Sequence, residues 1–99
     1  MEELPWKVLV LTAGRGHIGA TREDFFREVR GIKYADLEGA LRELEGEGLI
    51  NIEWTGIDKF LCTVTEKGAQ LARVEYEKRL AAYKSRMDDQ HKSSSIGKV

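Results

Sequence analysis

The sequence predicts an α+β fold: a helical body that carries one small antiparallel hairpin and ends in a long helix. Three observations predict it. Leu37, Leu41 and Leu44 recur at helical spacing, so they share one face of a helix. After Gly48, which can supply the positive φ of a helix C-cap, the apolar period switches to two. Ile50, Ile52 and Trp54 then alternate with Asn51 and Glu53, and Phe60, Cys62 and Val64 repeat that alternation beyond a turn at Thr55-Gly56-Ile57-Asp58. Thr65 can cap the helix that follows.

In this order the residues resemble the winged helix-turn-helix domain of transcription regulators, most closely the PadR and MarR type. The resemblance rests on Leu41 and Leu44, on Gly48-Leu49-Ile50, on the short hairpin, and on Thr65-Glu66-Lys67-Gly68. It covers most of residues 5–75. It implies a three-helix core, a small antiparallel β wing and a long C-terminal helix. Residues 1–75 then form the winged-helix domain, 76–88 extend the last helix for dimerisation, and 89–99 form a disordered tail. The implied function is a dimeric DNA-binding regulator whose third helix enters the major groove.

Each element has its own local reasons. Met1 to Leu4 read as loose, and Pro5 suits the first turn of a helix, where its missing N–H costs nothing. Val8-Leu9-Val10-Leu11 alone fits a buried strand as well as a helix; the downstream order selects helix, ending near Gly14. Gly14 to Gly19 matches G-x-G-x-x-G, which after a strand would suggest a dinucleotide site. The chain has no room for the parallel strands such a site needs, and the region about 20 residues on, where an acidic residue should end a strand, reads as helix. The stretch is therefore read as a loop leading into a short strand, His17-Ile18-Gly19, paired with the wing. Thr21 begins a second helix, with Glu23 and Asp24 suited to its positive end. Phe25 and Val29 should face the core with Phe26 beside them, and Gly31 should end the helix.

The third helix spans about Tyr34 to Glu47, with Leu37, Ala40, Leu41 and Leu44 inward. Gly39 costs about 1 kcal/mol against alanine in a helix interior; it serves either close approach of a partner or nothing at all. The last helix runs from near Glu66 to about Met87. Tyr76, Leu80, Tyr83 and Met87 continue an apolar stripe past the point where the domain needs it. That stripe either meets a second copy of the chain, as in a two-fold dimer, or folds back on Trp6 and Val10.

Composition bounds the rest. Ninety-nine residues suggest one domain with its own core. A single cysteine, Cys62, cannot staple its own chain, so the expected setting is reducing and cytoplasmic. No segment approaches the ~20 apolar residues of a membrane span. No arrangement of His and Cys has metal-ligand spacing, and no nucleophile sits beside a base, so neither a cofactor, a metal nor an enzyme activity is expected. Sixteen Lys and Arg against 17 Asp and Glu leave a net charge of −1, without the basic surplus usual in a DNA reader.

Phosphate contact requires cations on the contact face. The candidates are Arg22, Lys33, Arg42 and Lys59, with Tyr34 and Gly39 beside them, and Arg15 and Arg27 at the margin. Against them stand Asp36, Glu38, Glu43, Glu45 and Glu47 on the third helix, where Glu38 is placed to pair with Arg42 at i,i+4. A winged-helix module that binds protein and not DNA is the alternative.

Overall fold

A computed structural model describes the backbone of residues 1–98 and the side chains of residues 1–86. Its elements run α1 (Glu3–Arg15), β1 (Ala20–Thr21), α2 (Arg22–Glu28), α3 (Tyr34–Gly46), β2 (Ile50–Trp54), β3 (Phe60–Val64) and α4 (Glu66–Lys98). The three strands form one antiparallel sheet in the order β1-β3-β2. Helix α1 packs on α3, α4 and β3.

Val8 to Leu11 are helical, so the strand alternative is excluded. Val8 and Leu9 are buried in full, joined by Phe25, Leu37, Leu41, Leu44, Leu49, Ile50 and Cys62 in one cluster. Thr12 is fully buried as well, and its hydroxyl donates to the Val8 carbonyl at 2.7 Å. Helix α1 begins at Glu3, so Glu3 and Leu4 are part of it and not a loose end. The cause is an anchor from the far end of the chain. Arg79 of α4 donates to Glu3 at 2.8 Å and to the Met1 carbonyl at 3.0 Å.

The short strand lies at Ala20–Thr21, not at His17 to Gly19. Gly19 decides this, because it approaches β3 too closely for any side chain. Its φ is +84°, and a Cβ there would stand 2.9 Å from the Cys62 carbonyl oxygen. With a φ outside the extended region Gly19 is not itself a strand residue, and pairing with β3 begins at Ala20 opposite Cys62. Phe26 also departs from expectation: it points outward, while Phe25 is buried and lies 6.0 Å from Phe60, ring to ring.

Helix α2 starts in a complete capping box. The Asp24 carboxylate accepts from the Thr21 backbone N–H at 2.9 Å, and the Thr21 hydroxyl accepts from the Asp24 N–H. At the other junction, Gly48 takes φ +75° and lets the chain reverse from α3 into β2. Thr65 then ties the start of α4 to that reversal. Its hydroxyl donates to the Gly48 carbonyl at 2.7 Å and accepts from Gly68 N–H at 3.0 Å. Its own N–H donates to the Leu49 carbonyl at 3.1 Å. The Thr-x-x-Gly is thus a joint that fixes α4 against the end of α3.

Helix α4 is longer than the helix to about Met87 that the sequence predicts. The side chain of Met87, and those of the tail expected at 89–99, lie outside the described residues.

Candidate nucleic-acid interface

The β2–β3 hairpin leaves the body of the domain progressively. Along β2, Ile50 is buried, Ile52 half-buried and Trp54 41 % exposed. Trp54 rests edge-on against Phe60 at 5.4 Å, which keeps the hairpin stiff where it departs from the core. The tip closes through the Lys59 carbonyl, which accepts from both Thr55 and Gly56 N–H groups. Ile57, at the tip, is wholly exposed.

Between this wing and α3 lies an open groove of about 530 Å³. Tyr34, Glu38 and Arg42 line it from α3, and Trp54, Ile57 and Asp58 from the wing. The spacing 34, 38, 42 is one face of the helix, turned toward the wing.

Arg22 stands at the first position of α2 and reaches the same groove. Its guanidinium lies 5.2 Å from the Phe26 ring centre and 5.4 Å from that of Tyr34. It donates to Asp58 on the wing at 3.0 Å. Its Nε is buried without a hydrogen-bond acceptor. Arg42 is bound to Glu38 at 2.8 Å, the pair anticipated from their spacing. Lys33, the N-cap residue of α3, and Lys59, at the foot of the wing tip, are exposed and make no ion pair among the described residues.

Not every candidate joins this groove. Gly39 lies beside a separate hollow that α3 shares with Glu2, Leu4 and Pro5, and a Cβ there would meet nothing within 4 Å. Arg15 and Arg27 both turn to Asp24, where they buttress the α2 cap. Sequence reading missed Asp58 as the partner of Arg22. The pair spans 36 residues, and no local spacing could reveal it.

Nothing in the described residues suggests covalent chemistry. Cys62 is buried, and desolvation pushes its thiol up to about 11, against the opposing contact with the Thr12 hydroxyl at 3.6 Å. A thiol so held is not a nucleophile at neutral pH. No group of three or more His, Cys, Asp or Glu residues is placed to hold a metal among the described residues. No described helix is long and apolar enough to cross a membrane.

On α4, Tyr76, Leu80 and Tyr83 are exposed along one stripe, and Val74 is exposed nearby. Tyr76 also borders a shallow groove with Val10 and Ala13 of α1. Arg79 faces α1, where it pairs with Glu3 at 2.8 Å. Arg79 bonds Glu75 at 3.1 Å and covers the Trp6 ring at 4.7 Å.

The helices, the three-stranded sheet with its projecting hairpin, and the joint between α3 and α4 define a winged-helix protein. No family model matches the chain, and no curated protein matches it. Among solved structures it is similar to a transcriptional regulator of the MarR family from Rhodococcus sp. RHA1, with a TM-score of 0.71 at 22 % identity. The match covers 88 % of this chain and 60 % of that regulator's length. The likeness is one of fold, and it agrees with the α+β winged helix expected from the sequence.

Proposed function

We propose that this chain is a small winged-helix DNA-binding protein that acts as a dimeric transcription regulator. The observation that supports this best is the groove between α3 and the wing. It is open, it is lined by a helix face and a hairpin, and it holds Arg42, with Arg22 against its lining residues Tyr34 and Asp58 and the exposed Lys33 and Lys59 next in sequence to those two. A helix of this kind enters the major groove while the wing lies along the backbone. The exposed stripe of Tyr76, Leu80 and Tyr83 supports a two-fold pairing through α4, which would present two such grooves to one duplex.

A protein-binding module is the second reading, favoured by one observation: Arg22 and Arg42 each already hold a carboxylate. Fluorescence anisotropy with a labelled 20-bp duplex at about 20, 50 and 150 mM salt separates the two. DNA binding predicts affinity that falls steeply with salt, and Lys33→Glu with Lys59→Glu abolishes it while the far-UV spectrum stays native. Absence of salt-sensitive binding even at the lowest salt refutes the DNA reading and leaves the protein-binding one.

A further inference from the structure

We propose that Asp58 and Glu38 act as built-in stand-ins for phosphate, which DNA must displace from Arg22 and Arg42 before those arginines can touch the backbone. This rests on the DNA-binding reading and adds to it a mechanism by which the chain holds its own groove shut to charge. Three observations carry it.

Arg42 lines the groove and Arg22 meets its lining at Tyr34 and Asp58, and the charge of each is already met there. Arg22 Nη1 lies 3.0 Å from Asp58 Oδ2, and Arg42 Nη2 lies 2.8 Å from Glu38 Oε1. A carboxylate offers a guanidinium the same oxygen geometry that a phosphodiester does, so one can replace the other. Second, both pairs are at the surface. Such pairs are individually weak, so exchange for a phosphate is affordable in energy. Third, the arginine is held in place independently of its carboxylate. Arg22 lies against Phe26 and Tyr34, and its Nε is buried with no acceptor. A cation at the first position of a helix is unfavourable to that helix, so α2 gives no local reason for it. Removing Asp58 therefore leaves the guanidinium seated and unpaired, facing the groove.

The pair also crosses elements. Asp58 belongs to the wing tip and Arg22 to α2, so the contact latches the wing toward the helices. Displacement by phosphate would unlatch the wing at the moment of binding.

The test uses the full chain and a labelled 20-bp duplex at about 50 mM salt. Asp58→Asn and Glu38→Gln should each tighten binding roughly three- to tenfold, and the double variant more. Glu53→Gln is the control for net charge, because Glu53 lies on the same wing and makes no ion pair among the described residues. It should change binding less than twofold. Inorganic phosphate at matched ionic strength should compete only weakly, since the backbone engages both arginines together. The Arg22 Nε–Hε resonance gives a second readout without DNA: its exchange with water should stay as slow in Asp58→Asn as in wild type, because Phe26 and Tyr34 keep the guanidinium seated, and faster exchange overturns that independent seating.

Binding that responds to Asp58→Asn and Glu38→Gln no more than to Glu53→Gln overturns the stand-in role and leaves DNA binding intact. Phosphate competition as strong as that of unlabelled duplex overturns the backbone as the displacing group. No binding by wild type or any variant at low salt removes the DNA reading, and the exchange mechanism with it.

Discussion

Two glycines inside helices should respond to alanine with opposite sign, and the difference is set by what each new Cβ would meet. At Gly39, in the middle of α3, it meets nothing within 4 Å. The substitution then gains helix propensity and loses unfolded-chain freedom, about 1 kcal/mol of stabilisation. For a domain of this size that raises Tm by roughly 4–8 °C. At Gly68, in the first turn of α4, the Cβ would stand 1.9 Å from the Leu49 carbonyl oxygen and 2.8 Å from its carbon. That carbonyl cannot swing away freely, because it accepts the Thr65 N–H at 3.1 Å. The start of α4 must lift, and the Thr65 bonds to Gly48 and Gly68 stretch with it. Overpacking costs about 1–3 kcal/mol, and each weakened bond about 1 more. Against a propensity gain of about 1, Gly68→Ala should lose about 2–4 kcal/mol. Thermal and urea denaturation followed by far-UV circular dichroism measure both. A Gly68→Ala protein within about 1 kcal/mol of wild type would refute the view of Thr65-x-x-Gly68 as a packed joint. A destabilised Gly39→Ala would refute the view of α3 as open on that side. Duplex binding by Gly39→Ala then decides its role: weaker binding with higher Tm means that the backbone needs close approach there.

Three further outcomes follow from single sites. Asp24 has its carboxyl held below the usual range chiefly by the Thr21 backbone N–H, against the opposing cost of burial, with the Thr21 hydroxyl, Arg15 and Arg27 adding to the lowering. Its contribution is therefore fully present above the unfolded value near 3.8 and is lost as pH falls through the lower folded value, so Asp24→Asn should flatten the acid limb of the stability–pH curve. Cys62, buried and with its thiol raised to about 11, should resist a thiol reagent at pH 8 in the native protein and react at once in urea; fast native labelling would place it elsewhere. Tyr83→Glu with Leu80→Glu should shift sedimentation to the monomer without lowering helix content, whereas an unchanged sedimentation coefficient would remove α4 from any interface.

The features legible in the sequence are those whose geometry is local. Leu37, Ala40, Leu41 and Leu44 are buried as their spacing requires, and Glu38 meets Arg42 because residues four apart on a helix are neighbours. Thr21 caps α2 and Gly48 turns α3 into β2 for reasons carried within four or five residues. The misplaced first strand shows the limit. Its register depends on how near Gly19 passes to Cys62, a distance that only the folded sheet defines. The electrostatics of the groove failed to show for the same reason. Arg22 looked like a free cation until the wing brought Asp58 beside it.

Helix α4 illustrates why two readings of one stretch need not exclude each other. The sequence left its second half either folded back on α1 or free to meet a second copy. Arg79, braced by Glu75 one turn before it, holds Glu3, the Met1 carbonyl and the Trp6 ring. Tyr76 and Leu80 follow Glu75 and Arg79 by one residue each, which on a helix of 3.6 residues per turn is about 100° round the axis. The same turns therefore serve both directions: the polar pair ties the helix to its own domain, and the stripe stays open at Leu80 and Tyr83 beyond Tyr76, which borders the groove along α1. The tie matters to the proposed dimer because it fixes the angle at which that stripe leaves the winged helix. Arg79→Ala should then loosen the setting of α4 without touching either the stripe or the groove. In a DNA-binding dimer, that would appear as weaker binding with the oligomeric state unchanged, measured by anisotropy and sedimentation on the same samples.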